Sequence, residues 1–396
     1  MKILFVHPNF PAQFKHIAKA AAFNGHDVYF MCQTHYGRSI EGVKRLKLKG
    51  IHSFDALEKQ NLKVFEKTKY IGEQFRAGFV DLKGKSWNPD IVISHSGWGC
   101  GMYIKEVWPL CNHIAYLEWW FNPTSDFFLY DEENRSINLS RLSIKKNYER
   151  NIFVSIELSS ADAIVSPTFW QQSQLPKLLK KSCQVIFDGI DLKKFQAERK
   201  NNHPKITYGT RGMDPMRGFP QFIKSIPEIL RSLDDEIEIE IAGDEKSYYG
   251  LSPQGFVSWK DWALKFLEEK NVSHKVIWKK FMPLNSYIQW LNSSWCHVYL
   301  THPFVASWSL VEALAAEIPI VASKVTAVEE LCGNCDGVRL IDHRSTENIV
   351  TAVSHTIKEQ YDDNPKKFRR NLSHLSVKQS LERWGVVAGV ELTTSN

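Results

Sequence analysis

Short apolar runs alternate with amphipathic helical patterns along most of this 396-residue chain, and this alternation restricts the fold more than any other feature. Lys2–His7 and Asp27–Cys32 have the length and composition of buried strands, and Gln13–Asn24 between them has helical periodicity. Strands linked by helices favour a parallel sheet, because a parallel pair needs a long crossover connection. Further strands are predicted in the same half: Asp90–Ser94, His113–Leu117, Ala163–Ser166 and Gln184–Ile186.

A second series of strands and helices begins after residue 190. Predicted strands are Ile206–Gly209, Ile237–Ala242, Val276–Trp278, His297–Thr301 and Ile318–Ala322, and predicted helices are Phe219–Leu233 and Trp308–Ala316. The turn dipeptide Asp188-Gly189 separates the two series. We therefore expect an α/β protein with two Rossmann-like domains, 1–187 and 188–376, facing across a cleft. The tail, 377–396, is expected to pack back on the first domain as a helix.

The charge balance restricts the kinds of partner that the protein is expected to bind. Fifty Lys and Arg face 44 Asp and Glu, a net charge of +6 that is scattered along the chain. This excludes a dedicated nucleic-acid binder, which concentrates basic residues on one face, and permits a phosphate-bearing substrate. Residues 176–181 mix Leu with Lys and favour either peripheral contact with the inner membrane or a solvated helix face.

The N-terminus and the cysteines indicate the compartment. The apolar run in the N-terminal sequence MKILFVHPNF is too short for a signal peptide. No stretch of the sequence reaches the ~18 consecutive apolar residues that a membrane span requires. The seven cysteines are dispersed, as in a cytoplasmic protein with reduced thiols. Cys332 and Cys335 form a C-x-x-C without the two further ligands of a zinc site nearby. We expect a cytoplasmic protein without a metal.

The segment 301–323, THPFVASWSLVEALAAEIPIVAS, is the strongest candidate for binding chemistry. A strand ends at Thr301, and a helix opens near Ser307, where free backbone N–H groups form an anion site that Ser307 and Ser309 can cap. Glu312 follows within two turns and can accept hydrogen bonds from a ribose diol. The alternative is a capped helix with a solvated glutamate.

Arginines and a glycine-acid pair follow two neighbouring strands. Arg211 and Arg217 occupy one loop, and two guanidiniums can neutralise a departing diphosphate. Gly243-Asp244 ends the next strand, at the crevice position where open α/β sheets bind ligands. Two surface arginines are the alternative interpretation.

The first domain offers candidates at the ends of its own strands. His95 opens the loop His95-Ser96-Gly97-Trp98-Gly99, where its imidazole can reach a sugar hydroxyl or can simply close a turn. Glu118 can bind a hydroxyl or act as a base beside aromatic residues that stack on sugars or fill a core. The full set of acceptor candidates is Asn9, Gln13, Trp98, Glu118 and Trp119.

These residues also carry a resemblance to a known family. FDGIDLKKF resembles the NGVD-type linker of family-4 retaining glycosyltransferases, and SWSLVEALAAEIPIVAS resembles their donor motif. The segments FVHPNFPAQFKHIAKAAAFNGHDV, SHSGWG, EWWF, SSADAIVSPTFWQQSQLP, TRGMDPMRGF and HVYLTHPFVASWSLVEALAAEIPIVAS resemble a bacterial subgroup that acts on surface polysaccharides. The resemblance spans residues 1 to about 330. It implies the GT-B fold, a nucleotide-sugar donor in the second domain, an acceptor on the first, and no metal.

Single residues follow from the same resemblance. Glu312 matches the second glutamate of the paired-glutamate motif, which holds the donor ribose. Arg211 and Arg217 match the basic pair on the diphosphate, with a spacing of six where the family usually has five. Ser307, Trp308 and Ser309 match the amides that meet phosphate. Phe304 stands where the first glutamate of the motif is expected, which implies a variant pocket for the donor sugar.

The resulting expectation is a retaining, metal-independent glycosyltransferase of polysaccharide biosynthesis. Such an enzyme needs no cofactor. Its co-substrate is expected to be a UDP- or GDP-sugar, and its acceptor a saccharide or a lipid-linked saccharide. Arg211 and Arg217 stabilise the leaving diphosphate and His95 positions the reacting sugar. Two alternatives stay open: a GT-B nucleotide-sugar epimerase, and a catalytically degenerate saccharide-binding subunit, which Phe304 motivates.

Overall fold

The structure, a computed structural model, describes residues 1–50, 57, 63–131, 133–134, 136–137, 141–197, 203–233, 237–362 and 367–393. The chain divides into two compact units. The first comprises residues 1–125, 142–189 and 373–396, and the second comprises residues 126–141 and 190–372. Each unit is built on its own parallel sheet, so the predicted α/β class is confirmed.

The sheet of the first unit contains, among the described residues, seven parallel strands in the order β3-β2-β1-β4-β5-β6-β7. Every residue of the central β4 is buried, whereas the edge strand β3, sequence VKRLK, keeps lysine and arginine in solvent, which discourages pairing with another chain. The strands are β1 (Lys2–Val6), β2 (Asp27–Cys32), β3 (Val43–Lys47), β4 (Ile91–His95), β5 (Asn112–Tyr116), β6 (Ala163–Ser166) and β7 (Cys183–Val185).

The sheet of the second unit has six described parallel strands in the order β10-β9-β8-β11-β12-β13. They are β8 (Lys205–Gly212), β9 (Glu238–Asp244), β10 (Val276–Lys279), β11 (Cys296–Tyr299), β12 (Ile320–Ser323) and β13 (Val338–Ile341). The predicted strands of this half all exist, with ends shifted by up to three residues. The largest shift is at β8, which runs on to Gly212 through an irregularity after Gly209.

Helices cover the faces of both sheets. In chain order the α-helices are α1 (Lys15–Phe23), α2 (Val64–Gly84), α3 (Ile104–Val107), α4 (Asp126–Leu129), α5 (Arg141–Glu149), α6 (Asn151–Ser160), α7 (Phe169–Ser173), α8 (Lys177–Lys181), α9 (Leu192–Phe195), α10 (Phe219–Ser232), α11 (Trp259–Glu269), α12 (Leu284–Asn292), α13 (Trp308–Ala315), α14 (Thr326–Cys332), α15 (Thr346–Asp362) and α16 (Val377–Ala388). Short 3₁₀ helices occupy Ala12–Phe14, Pro215–Arg217, Ser273–Lys275 and Ser373–Leu375.

The C-terminal helix α16 packs into the core of the first unit. Trp384 is 1% exposed and belongs to the same buried cluster as Phe5, Phe14 and Tyr116. Its ring stacks on Tyr116 with a centroid distance of 6.5 Å. Burial of a tryptophan of this size contributes several kcal/mol, which is sufficient to hold the helix to this sheet although it lies at the end of the chain. Residues 394–396 of the predicted tail lie outside the described residues.

Residues 126–141 depart from the expected division of the chain. The expected first domain, 1–187, included them, but they group with the second unit. Polar contacts explain the difference: Nη1 of Arg344 donates to the backbone oxygen of Tyr130 at 2.8 Å, and Nε2 of His302 lies 3.2 Å from Oδ2 of Asp131. We call the described residues of 126–137 the strap.

The described strands of each sheet include a switch point, where strand order reverses. In the first unit the chain proceeds outward from β1 to β3 and then resumes at β4 on the other side of β1. In the second unit the corresponding neighbours are β8 and β11. Loops at the carboxyl ends of such strand pairs diverge and leave a crevice for ligands. The loops after β1, β4, β8 and β11 are therefore the candidate ligand-binding positions.

Within the part of the chain that the structure describes, no helix combines the length and apolar character needed to cross a membrane.

Candidate active site

Arg217 joins the two loops at the switch point of the second unit. It ends the 3₁₀ helix Pro215–Arg217 after β8, and its Nη1 donates to Oγ1 of Thr301, just after β11, at 3.0 Å. The hydroxyl of Tyr208 fixes the Arg217 backbone by donating to its oxygen at 2.7 Å. The side chain is thus held partly buried at the carboxyl edge of the sheet.

Tyr299, the last residue of β11, is buried two residues before Thr301. Burial raises the pKa of its hydroxyl, while hydrogen bonding with the side chains of Ser307 and Arg217 acts in the opposite direction. Thr301, which accepts the hydrogen bond from Arg217, lies in the loop that leads from Tyr299 to the start of α13. A guanidinium beside a helix N-terminus is a favourable arrangement for a phosphate, because both direct positive charge at it.

Ser307 is the N-cap residue of α13, but its side chain does not make the predicted cap. Its hydroxyl instead exchanges a hydrogen bond with the hydroxyl of Ser309 at 2.8 Å. Competition between hydroxyls explains the difference, since Ser309 lies within reach and satisfies Ser307 locally. The backbone N–H groups of the first turn keep their anion-binding character. Trp308, the first residue of the helix, is 39% exposed.

Glu312 lies in the second turn of α13 and is not a solvated surface carboxylate. Its Oε2 accepts a hydrogen bond from the Tyr287 hydroxyl at 3.0 Å. Burial raises the pKa of Glu312, and the bond from Tyr287 partly offsets that rise. Tyr287 on α12 was not predicted, and no local pattern around it would have indicated the contact.

Arg211 and Asp244 meet through a tyrosine that the sequence did not single out. The Arg211 guanidinium lies 4.3 Å from the ring centre of Tyr248, whose hydroxyl donates to Oδ2 of Asp244 at 3.1 Å. Gly243 has a conformational role, because its φ is +148° and a Cβ there would lie 2.2 Å from the backbone oxygen of Thr210. Arg211 itself is exposed and lies within β8, because the strand runs on to Gly212, so the prediction that both arginines occupy one loop after the strand is wrong for Arg211.

Asp214 is a buried carboxyl next to this site. It is 1% exposed, and burial raises its pKa to about 6, with nearby Arg217 acting in the opposite direction. Its Oδ2 accepts from the backbone N–H of Tyr248 at 3.4 Å. Asp214 thus ties the loop after β8 to the loop after β9.

Phe304 belongs to an aromatic group. Its ring centre lies 5.0 Å from that of Phe127 on the strap and 5.6 Å from that of Tyr249. All three side chains are partly buried. Phe304, two residues after His302, thus forms an apolar surface with Phe127 and Tyr249. We call these three side chains the aromatic wall.

The first unit brings together three of its six predicted residues. Nε2 of Gln13 donates to Oε1 of Glu118 at 3.2 Å, and Oε2 of Glu118 lies 3.5 Å from Nε2 of His95. His95 is 2% exposed, while 36% of the Glu118 side chain is exposed. Glu118 therefore presents the polar surface of this site, and the buried His95 lies at ion-pair distance from it without hydrogen-bond geometry.

The remaining predicted residues of this unit lie around that group. The backbone N–H of Asn9 donates to Nδ1 of His7 at 2.8 Å, and the His7 ring packs edge-on against His95 at 4.6 Å. Burial, and then the charge of His95, lower the pKa of His7 well below its ordinary value. Trp98 packs against the core, and Trp119 is 8% exposed and lies against Trp170. The burial of Trp119 fits the core role that was the alternative to sugar stacking, whereas Trp98 is partly buried beside the core.

Two histidines at strand ends were missed. His7 directly follows β1, and His302 lies three residues after β11. The rule that selected His95, an imidazole at the carboxyl end of a strand, applies to both.

The cysteines and carboxylates show no metal centre among the described ranges. No group of three or more His, Cys, Asp or Glu side chains there could hold an ion. All seven cysteines are free thiols, and burial raises the pKa of Cys332 to about 12.

Solved structures share this architecture. Sucrose-phosphate synthase from Thermosynechococcus elongatus has a TM-score of 0.68 and 13% identity, with 98% of this chain and 96% of that chain covered. WaaG, a glycosyltransferase involved in lipopolysaccharide biosynthesis, has a TM-score of 0.64 and 12% identity, with 98% and 100% covered. Anabaena HepE in complex with UDP and glucose has a TM-score of 0.63 and 12% identity, with 98% and 99% covered. At this identity the likeness shows the fold alone, and the predicted GT-B fold is confirmed.

Two family models match consecutive parts of the chain. The model described as glycosyl transferase family 4 group matches residues 24–195, and the model described as glycosyl transferases group 1 matches residues 191–374. A search of curated protein sequences gives no significant match. The fold and site define a GT-B protein with polar groups at both switch points. Both models describe glycosyl transferases and together they extend from residue 24 to residue 374, so the comparisons support a GT4-like glycosyltransferase.

Proposed function

We propose that this protein transfers a sugar from a nucleoside-diphosphate donor to a saccharide acceptor, with retention of the anomeric configuration and without a metal ion. The observation that carries the proposal is the hydrogen bond from Arg217 to Thr301 at the switch point of the second unit, in the loop that leads from β11 to the N-terminus of α13. This arrangement offers a guanidinium and a helix N-terminus to one anion, as a diphosphate leaving group requires. The structure of HepE in complex with UDP and glucose, which has the same fold, supports this choice of ligand.

The donor is held in two parts. Arg217, Arg211 and the first turn of α13 bind the diphosphate, and Glu312 accepts hydrogen bonds from the ribose hydroxyls. The Tyr287 hydroxyl holds the Glu312 carboxylate in place at 3.0 Å, which reduces the entropy lost on binding.

The reaction relies on stabilisation of the leaving group. As the glycosidic bond to the diphosphate breaks, negative charge grows on its oxygens, and the fixed guanidinium stabilises that charge. The acceptor hydroxyl attacks the same face of the sugar and passes its proton to the leaving phosphate. This route requires no nucleophile from the protein and leaves the configuration unchanged.

The acceptor binds at the first unit. Glu118, held between Gln13 and His95, accepts a hydrogen bond from an acceptor hydroxyl, and His95 keeps the carboxylate oriented. We further propose a polysaccharide precursor, free or lipid-linked, as acceptor. Helix α8 suits peripheral contact with an anionic membrane, since Leu178 is 80% exposed among three lysines.

Calorimetry with EDTA present tests the proposal. UDP, GDP, ADP, CMP and TDP are titrated into the protein, and one nucleoside diphosphate should bind. Glu312→Gln should weaken that nucleotide at least tenfold while leaving its 2′,3′-dideoxy analogue unchanged, because the lost contacts are to ribose. Glu269→Gln, which alters an exposed carboxylate on α11, is the control.

Incubation with the matching nucleotide-sugars then separates the remaining alternatives. Transfer to a saccharide with an unchanged anomeric centre supports the proposal. Epimerisation of the donor without acceptor indicates an epimerase. Saccharide binding without donor turnover indicates a degenerate subunit.

A further inference from the structure

The strap carries aromatic and acidic side chains from the first half of the chain to the second unit. Tyr130 packs flat on His343, with ring centres 5.7 Å apart, and its hydroxyl donates to Oδ1 of Asp342 at 3.3 Å. Arg344 closes the contact by lying over the Tyr130 ring at 4.6 Å and by pairing with Asp342. These contacts fix the backbone on either side of Tyr130.

A second anchor ties the strap to the loop after β11. Oδ2 of Asp131 lies 3.2 Å from Nε2 of His302 and also accepts from Nδ2 of Asn134 at 2.9 Å. The backbone N–H of His302 donates in turn to Met216 at 2.8 Å, next to Arg217. The strap is therefore attached to the same loops that hold the proposed diphosphate site.

The anchors bring Phe127 to the aromatic wall. Phe127, Phe304 and Tyr249 have ring centres 5.0 and 5.6 Å apart along the wall. Tyr249 follows Tyr248, on which Arg211 stacks, and Phe304 lies between His302 and the N-cap Ser307. Two members of the wall thus lie beside the site in sequence, Tyr249 next to the tyrosine that Arg211 contacts and Phe304 in the loop that leads to α13.

The order of groups in a nucleotide-sugar decides what meets the wall. Nucleoside and sugar lie at opposite ends of the diphosphate. Glu312, the proposed ribose contact, lies along α13 beyond its N-terminus, whereas Phe304 precedes that N-terminus. A diphosphate held at the N-terminus with its ribose at Glu312 directs the sugar toward Phe304 and its aromatic neighbours.

We infer that the strap completes the donor-sugar subsite, and that Phe127, Phe304 and Tyr249 select a sugar bearing an apolar substituent, such as the methyl of an acetamido or 6-deoxy group. This rests on the proposed function. Aromatic rings gain from contact with a methyl group, whereas a hydroxyl turned toward them loses water without an equivalent partner. Asp131 is a positioning residue, which acts through His302 to keep Phe127 in the wall.

The test compares donors that differ in one group. Dissociation constants for UDP, UDP-N-acetylglucosamine and UDP-glucose are measured by calorimetry. If the protein prefers GDP, the ligands are GDP, GDP-rhamnose and GDP-mannose instead. The native protein should favour the sugar with the apolar substituent by at least tenfold. Phe127→Ala should reduce that preference to below threefold and leave the dissociation constant of the bare nucleotide unchanged.

Two further variants and a control complete the design. Phe127→Leu should retain most of the preference, because it keeps apolar volume. Asp131→Asn should lower the preference as Phe127→Ala does, because it weakens the anchor. Phe281→Ala, which removes a phenylalanine 67% exposed in the same unit, should have no effect.

The outcomes distinguish the two proposals. Failure of every nucleoside diphosphate to bind would overturn the proposed function, and this inference with it. Normal nucleotide binding with no preference between the paired sugars, or with a preference that Phe127→Ala leaves intact, would overturn this inference alone.

Discussion

Nη1 of Arg217 donates to Oγ1 of Thr301 across 3.0 Å and joins two loops that are 84 residues apart in sequence. Arg217 follows β8 and Thr301 follows β11, the two strands at which the order of the second sheet reverses. A side chain fixed in this way is already oriented for a ligand, so that little conformational entropy remains to be lost on binding.

Arg217→Ala should therefore weaken binding of the nucleoside diphosphate by roughly 10- to 100-fold, since hydrogen bonds to charged groups contribute about 1.5–3 kcal/mol each. Arg217→Lys should recover only part of the affinity, because an ammonium cannot reproduce the guanidinium fork. Calorimetry provides the measurement. Arg231→Ala removes an exposed arginine on α10 and should change nothing, and equal losses in both variants would contradict the placement of the site.

His95→Ala should reduce the turnover of acceptor by roughly 10- to 100-fold, because Glu118 loses the partner that orients it and misplacement of a substrate contact costs about that much. Nucleotide affinity should stay unchanged, since the proposed donor contacts lie in the other unit. Initial rates at varied acceptor concentration, beside nucleotide calorimetry, separate the two effects. A parallel loss of nucleotide binding would show that His95 acts through stability.

Glu157 should make the protein less stable as pH rises through the range below neutrality. It is 0% exposed on α6, its Oε1 accepts from the Ser94 hydroxyl at 2.5 Å, and burial raises its pKa to about 7 from an ordinary 4.5. The folded state therefore holds a proton that the unfolded state releases, and stability falls between about pH 4.5 and 7. The shift corresponds to about 3 kcal/mol.

Glu157→Gln isolates this contribution. The free energy of unfolding of both proteins is measured in urea at a series of pH values. The two curves should diverge across that interval, because the native protein loses stability as pH rises and the variant does not. Parallel curves would show that the Glu157 carboxyl titrates normally in the folded state.

Gly101→Ala should destabilise the first unit by about 2–4 kcal/mol, the range for strain in a buried polar network. A Cβ at this position would lie 2.0 Å from Oε1 of Glu157 and 2.7 Å from Oγ of Ser94, so the network has to move apart. Gly84→Ala is the matched control: this glycine ends α2, has nothing within 4 Å of the added carbon, and should be neutral or slightly stabilising. Thermal unfolding of the two variants compares them directly, and a neutral Gly101→Ala would contradict the packing.

Much of the fold could be predicted because its signals are local. Apolar runs such as Asp27–Cys32 and Ala163–Ser166 coincide with strands, since a strand buried on both faces needs unbroken apolar sequence. The ends of the elements differ from those predicted: the helix expected at Gln13–Asn24 begins as the 3₁₀ helix Ala12–Phe14 and continues as α1. Residues that follow strand ends could be selected by their chemistry, which is how Arg217 and Glu118 were proposed.

The sequence by itself therefore determined the class of fold, the existence of two series of strands and the residues placed at strand ends. Only the tertiary structure decided which of those residues meet. His302 and Asp131 are 171 residues apart, and the contact between them depends on a segment of the first half packing against the second unit. Such contacts depend on strand order and side-chain reach across the sheet, and neither is encoded in the pattern of neighbouring residues.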